Sequence, residues 1–296
     1  MEENRMSNPR YIIRPMIRGE IDLCIRWAEA EGWNPGLYDA EAFYAADSEG
    51  FWVGLLDGEP IATISAVRYG SDFGFIGFYI VRPDYRGQGY GLDLWKAAMR
   101  HLQGRLIGLD GVVAQQANYQ KSGFQLAYNN VRYQGVAGQS SASAPGGSSV
   151  THGQVLAASD LPGAMIHAYD RHFFPGFRER FLSAWITQPK VVARVMVVNG
   201  VICGLAVIRP CVNGYKIGPL FADDDSVALQ LFDALVDTVE PGAQIQIDIP
   251  AINPRARALA QRHGMTPVFE TARMYTGSAP DLDIARMYGI TSFELG

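Results

Sequence analysis

One arrangement of residues occurs twice along this chain. Asp57-Gly58 and Asn199-Gly200 are hairpin-turn signals between apolar, β-branched runs, and their glycines lie 142 residues apart. Gly123 and Gly264 each close a helix-like stretch at a separation of 141, and Tyr133 and Tyr275, near the end of a last strand-like run, return to 142. Local propensity alone would not hold seven elements in register over that distance, so the pattern implies a duplicated α/β (α+β) unit. Between the copies runs GVAGQSSASAPGGSSV, Gly135 to Val150, uncharged and rich in small residues, which reads as a flexible linker. The expected boundaries are 8–136 for the first unit, 137–150 for the linker and 151–296 for the second.

Each copy reads alike. In the first, YIIRPM is strand-like, Glu20 to Ala30 and Ala40 to Ala46 are helix-like with the turn-rich EGWNPG between them, and Phe51–Leu56 with Ile61–Tyr69 form the hairpin. Phe75 to Val81 is a continuous apolar run suited to a buried central strand. Leu92, Trp95, Met99 and Leu102 recur at helical spacing, Leu106 to Val113 is a strand, ANYQKSGF is a helix closed by Gly123, and the last strand ends at RYQG. In the second copy the strands are Val191–Val198, Val201–Ile208, Tyr215–Ala222, Gln244–Ile249 and a last one ending at RMYTG. Ala228 to Val239 has helical spacing, and Asn253 caps a helix with Pro254 in its first position.

RPDYRGQGYG, Arg82 to Gly91, stands between the central strand and the long helix of the first copy. Successive backbone N–H groups at a helix start bind an anion with help from the helix dipole, and glycines let the backbone come close to it. A dinucleotide-binding turn needs a glycine where Leu92 stands, and a P-loop needs Gly-Lys-Ser/Thr where the chain reads Gly91-Leu92-Asp93, so neither applies. What remains is Arg-x-x-Gly-x-Gly, Arg86 to Gly91, after FYIVRP.

With that motif the chain resembles the GNAT superfamily of N-acetyltransferases, most clearly over Tyr11 to Gly135. The resemblance implies acetyl-CoA as cosubstrate, its pyrophosphate on the loop formed by Arg86, Gly87, Gln88, Gly89, Tyr90 and Gly91. It implies a pantetheine arm hydrogen-bonded by the strand at Tyr79, Ile80 and Val81, with an oxyanion held by N–H groups of the same stretch during direct transfer to a primary amine. Tyr119 stands four residues before Gly123-Phe124, where the family places a phenol that protonates the departing thiolate. A phenol near ~10 suits a thiol near ~8.5. The asparagine common in the family six residues earlier is replaced by Val113. EGWNPG, LDGVVAQQANYQKSGF, GPLFADD and YGITSFELG resemble a narrower branch with a second, degenerate domain. The implied fold is therefore two tandem GNAT-like domains, each a mixed, mostly antiparallel sheet flanked by helices, the first catalytic.

The second copy lacks the anion loop. The 142-residue offset carries Val81 to Asp223 and the loop to Asp224, Asp225, Ser226 and Val227, where carboxylates repel a pyrophosphate. The tyrosine position falls on Ala260, so one CoA per chain is expected. The central strand FGFIGFYIV holds no carboxylate to act as base. Asp110, between apolar residues in GLDGVV, is a candidate, with a structural cap as the equal alternative. Trp33 and Asn34 in EGWNPG lie where the family binds its acceptor, and Glu31 and Asp39 nearby would suit an ammonium group or simply be solvated. Arg171, Arg178 and Arg180 form a basic cluster expected to pair with Asp170 and Glu179.

Composition narrows the partners. A net charge of −5, from 25 basic and 30 acidic residues, argues against nucleic acid and mildly favours neutral or cationic small molecules. Cys24, Cys203 and Cys211 have no metal-ligand spacing, nor do His167 and His172, so no metal is expected and the thiols read as reduced core residues of a cytoplasmic protein. A polar start and the lack of any apolar run of about 18 residues argue against a signal peptide or a membrane span. The reading is an N-acetyltransferase of a small-metabolite amine, compatible with a homodimer. Its rivals are a protein or peptide acetyltransferase and a non-catalytic CoA-binding sensor.

Overall fold

In the computed structural model, which describes residues 10–138 and 153–296, the strands of both copies join one continuous sheet. The first copy comprises β1 (Tyr11–Pro15), α1 (Ile21–Ala30), α2 (Asp39–Ala46), β2 (Phe51–Leu56), β3 (Glu59–Tyr69), β4 (Phe73–Val81), α3 (Tyr90–His101), β5 (Leu106–Val112), α4 (Gln116–Lys121) and β6 (Gln125–Val136). The second comprises β7 (Gln154–Ala157), α5 (Gly163–Asp170), α6 (Glu179–Trp185), β8 (Val192–Val198), β9 (Val201–Pro210), β10 (Tyr215–Ala222), α7 (Asp225–Val236), β11 (Gln244–Pro250), α8 (Pro254–Arg262), β12 (Thr266–Tyr275) and β13 (Met287–Gly289). Both hairpin turns have the left-handed pair of residues that matches strand twist, Asp57-Gly58 at φ 51° and 89° and Asn199-Gly200 at 50° and 80°. Asn253 caps α8 as expected, its side chain accepting from the Arg255 and Ala256 amides.

The strand order is β1-β2-β3-β4-β5-β12-β6-β11-β10-β9-β8-β7. The last strand of each copy therefore lies in the sheet of the other. β12 pairs antiparallel with β5, Arg273 opposite Asp110, and β6 pairs antiparallel with β11, Arg132 opposite Asp248. β6 and β12 pair with each other at the centre. The expected boundaries divide the repeat but do not divide the fold, because each sheet is complete only with a strand from the other copy. Gly135 and Val136, assigned above to the linker, are the end of β6. The remainder of that linker, from residue 139 on, lies outside the described residues.

Helices cover the sheet on both faces. α3 buries Leu94, Trp95 and Ala98 against Ile64, Ile107 and Phe124. Its apolar stripe is shifted from the expected one: Leu92 is 55 % exposed and faces a cavity described below. On the other face α2 meets α6 and α1 packs beside it in a core shared by both copies. The Phe43 ring lies 6.5 Å from Phe181 and 5.9 Å from Trp185, and all three side chains are fully buried. Each contributes about 1.5–3 kcal/mol by burial, so the joint core binds the halves strongly. Arg178 pairs with Asp170 at 2.6 Å and Arg171 with Glu179 at 2.7 Å, as the charge pattern suggested. The three thiols are free, Cys24 and Cys211 buried and Cys203 half-buried. Among the described residues no helix is long and apolar enough to cross a membrane.

Candidate active site

β4 and β5 run parallel and paired only from Phe73 opposite Leu106 to Ile76 opposite Leu109. Beyond that point they part, and from Gly77 to Val81 β4 has β3 on one side and no strand on the other. The separation coincides with a bulge. Phe78 takes φ 47°, an uncommon conformation for a bulky residue, and the β3–β4 register shifts between Thr63 and Ser65. The Thr63 hydroxyl donates to the Phe78 carbonyl at 3.0 Å and holds the bulge. Such strain persists where surrounding structure over-determines it, commonly at a functional site. The parted strands open into a cavity of about 780 Å³.

The loop expected to hold a pyrophosphate borders this cavity. Arg86, Gly87, Gly89 and Gly91 line it, together with Tyr79, Ile80 and Val81. Gly89 precedes the first turn of α3 at φ 92°, which an L side chain rarely adopts. A Cβ on Gly91 would lie 2.7 Å from the Tyr79 hydroxyl and 2.8 Å from Val81 Cγ2, so only glycine lets α3 start so close to β4. Among the described residues, no amide from Gly87 to Leu92 has a hydrogen-bond acceptor, whereas the flanking Arg86 and Asp93 amides bond to Pro83 and Gly89. Unpaired amides at a helix start fit an anionic diphosphate. The Arg86 side chain donates to the Val81 carbonyl at 2.7 Å and pairs with Glu31, so it braces the loop. Gln88 and Tyr90 do not line the cavity. Gln88 donates to the Asp84 carbonyl at 2.8 Å, and the Tyr90 ring packs 4.9 Å from Tyr11.

Tyr119, on α4, reaches the same cavity. A Cβ on Gly111 would lie 2.2 Å from its ring, so the glycine in GLDGVV makes room for the phenol over β5. Trp95 packs between Tyr119, at 5.6 Å, and Tyr79, at 5.4 Å. Burial, with a smaller contribution from Tyr79, pushes the Tyr119 phenol up to about 12. Among the described residues its hydroxyl has no hydrogen-bond partner.

Three expectations for the substrate side are corrected. Asp110 borders the cavity but is not free to act as a base. Arg273 donates to its two oxygens at 2.9 and 2.5 Å and Asn130 donates at 2.8 Å. Its side chain is fully buried, so the pair is a seam between β5 and the exchanged β12. Asn34 is buried and turned away from the cavity, with φ 51°, donating to the Asn213 carbonyl at 3.0 Å and to Gln246 at 2.9 Å. It ties EGWNPG to the second copy. Asp39 pairs with Arg209 at 3.0 Å in the interior, neither solvated nor facing a substrate. Trp33 does line the cavity, its carbonyl accepting from Arg132 at 2.7 Å.

Segment 287–296 was not singled out as part of the site, and it supplies residues to it. β10 and β11 part after Ile217 and Ile247 just as β4 and β5 do. Here the gap is filled by β13, which pairs with β10 through Leu220 opposite Gly289 and Phe221 opposite Met287. A Cβ on Gly289 would lie 2.9 Å from Ile247, so the fit is tight. The acidic loop secures this plug: Asp224 caps α7 through the Val227 amide at 2.9 Å, Asp223 pairs with Arg286, and Asp225 accepts from Tyr288. The chain then crosses to the first copy. The Glu294 carbonyl rests on Gly77, where a Cβ would be only 2.0 Å away, and the Leu295 carbonyl accepts from Tyr69 at 3.0 Å. Phe293 and Glu294 thereby join Phe269 and Thr271 of β12 in lining the cavity. The available signal was a carboxylate set directly between Phe293 and Leu295.

Comparison with known proteins agrees with both halves of this description. Family models for a GNAT acetyltransferase match residues 21–124 and, as an acetyltransferase (GNAT) domain, residues 166–289. Holothin acyltransferase of Pseudoalteromonas sp. (strain SANK 73390) is 33% identical over 283 residues, covering 96% of this chain and 94% of that protein. The fold matches a candidate acetyltransferase from Pyrococcus horikoshii at a TM-score of 0.79 and 22% identity, over 100% of this chain and 99% of that one. It also matches a tandem GNAT protein from the clavulanic acid biosynthesis pathway, at a TM-score of 0.61 and 9% identity over 92% of this chain and 100% of that one.

Proposed function

This chain belongs to the GNAT acyltransferase family, and we propose that it transfers an acetyl group from acetyl-CoA to the primary amine of a small metabolite. The observation that carries the reading is the single cavity edge at which unpaired loop amides, the parted end of β4 and the Tyr119 hydroxyl meet. In this reading the amides from Gly87 to Leu92 hold the diphosphate of CoA. The unpaired edge of β4 beyond Ile76 hydrogen-bonds the pantetheine arm and steadies charge on the thioester oxygen as the amine attacks. Tyr119 gives its proton to the departing thiolate. The second copy takes no CoA, since β13 fills the equivalent gap and carboxylates replace the loop.

The small-metabolite part rests on the walls of the cavity. Phe293, Glu294 and residues of the exchanged β12 line it together with the loop, so the second copy bounds the space beside β4. The name of the holothin acyltransferase, an enzyme alike over nearly its whole length, points the same way. A panel of alkyl amines, aromatic amines, polyamines, amino acids and peptides, assayed for thiol release from acetyl-CoA, tests the reading. Turnover is expected with compact amines, and turnover with peptides alone would overturn it.

The loop has its own test. Gly91→Val is expected to weaken CoA binding at least tenfold, about 1.4 kcal/mol, by forcing α3 away from Tyr79 and Val81. Calorimetry with CoA measures this, and unchanged affinity would move the diphosphate elsewhere.

A further inference from the structure

A buried carboxylate needs a partner for its charge. Asp39, Asp110, Asp170 and Asp248 each accept from an arginine at 3.0 Å or less. Glu294 is the exception. It is 4 % exposed, it lines the cavity, and among the described residues it forms no ion pair and its side chain no hydrogen bond. Neither of its oxygens is among the sealed, unpartnered atoms of the interior, which leaves the carboxylate open to the cavity. Three buried cations of the surrounding strands are otherwise engaged: Arg132 on β6 with Asp248 and Arg209 on β9 with Asp39, while Lys216 on β10 donates to the Asn34 carbonyl at 2.9 Å. All three lie within electrostatic reach of Glu294.

We propose that Glu294 is the general base of the reaction, taking the proton from an acceptor amine seated between Trp33, Phe269 and Phe293. The inference rests on the acyl-transfer reading above and adds the residue that β4 lacks. The Glu294 backbone lies directly on Gly77, one residue before the bulge, so the carboxylate is brought to the parted end of β4 by the second copy. The aromatic walls, with Phe269 and Phe293 6.0 Å apart, suit an amine with a flat apolar body. The bookkeeping of the step is simple. The amine nitrogen bonds to the acyl carbon and the carbon–sulfur bond breaks. One amine proton passes to the Glu294 carboxylate, and Tyr119 protonates the sulfur.

The test compares wild type, Glu294→Gln and Glu294→Asp with acetyl-CoA and the best primary amine of the panel, by thiol release, with CoA affinity measured alongside by calorimetry. Glu294→Gln is expected to bind CoA within about twofold of wild type and to lose about 100-fold in kcat at pH 7. Its rate should then climb about tenfold per pH unit toward the pKa of the free amine, as solvent takes over the deprotonation, while the wild-type profile flattens. Glu294→Asp keeps the carboxylate one methylene short and should fall between the two. If the glutamine variant does not fold, the aspartate variant decides by the same change of slope. A Glu294→Gln kcat within threefold of wild type, or an unchanged pH profile in whichever variant folds, overturns the assignment. Wild type that releases no thiol with any amine overturns the transfer reading itself, whereas a loss confined to the variants leaves that reading standing.

Discussion

Replacing Asp110 with alanine is expected to destabilise the protein by about 3–5 kcal/mol, because it leaves the Arg273 guanidinium buried without a counter-charge. Arg273 is 4 % exposed, and the rest of its surroundings cannot substitute: Tyr275 offers a hydroxyl at 3.5 Å and Phe75 a ring face at 5.1 Å. The pair joins β5 to a strand from the other copy, so the loss falls on the seam of the strand exchange. Two further buried pairs, Arg132 with Asp248 and Arg209 with Asp39, also join one copy to the other. The midpoint of urea unfolding measures the effect. The double replacement Asp110→Ala with Arg273→Met should recover much of it, since removing both charges removes the uncompensated one. If Asp110 were the base, the single variant would instead be stable and inactive. A stability change below about 1 kcal/mol would refute the structural role.

Tyr119→Phe is expected to lower kcat by about 10²–10³-fold while leaving acetyl-CoA affinity within about twofold. The ring stays wedged between Trp95 and Phe124, at 5.6 and 6.4 Å, so the cavity wall survives the loss of the hydroxyl. A phenol pushed up to about 12 keeps its proton at neutral pH. It should therefore impose no alkaline fall in kcat below that value. Steady-state kinetics with the acceptor saturating, and calorimetry for acetyl-CoA, measure the two quantities. An unchanged kcat would remove Tyr119 from the reaction.

Most of the local structure was legible because its causes are local. A left-handed two-residue turn, an N-cap followed by proline, and an apolar run between turns are each decided within a few residues. The loop's conformation was legible for the same reason, since the φ of Gly89 and the close approach of Gly91 to β4 are set within a few residues. Tyr119 was located by its fixed distance from the helix end at Gly123. The roles of Asp110, Asn34 and Asp39 stayed open between substrate and structure because their partners are remote. Arg273 is 163 positions from Asp110, Gln246 is 212 from Asn34 and Arg209 is 170 from Asp39. A carboxylate among apolar residues looks alike whether an arginine or a substrate meets it. Segment 287–296 lies beyond Gly277, where the second copy's last strand-like run ends, so the repeat held no information about it.

The sequence by itself determined the duplicated unit, the type and order of its elements, the glycine loop in the first copy and its replacement by carboxylates in the second. Each of these depends on backbone conformation and short-range periodicity, which neighbouring residues set. Only the tertiary structure decided that the last strands change places, that β13 plugs the second gap and that Glu294 is delivered to the first. Those outcomes depend on which strand edge meets which and on which buried charges cancel, and such pairings are selected across the whole folded chain.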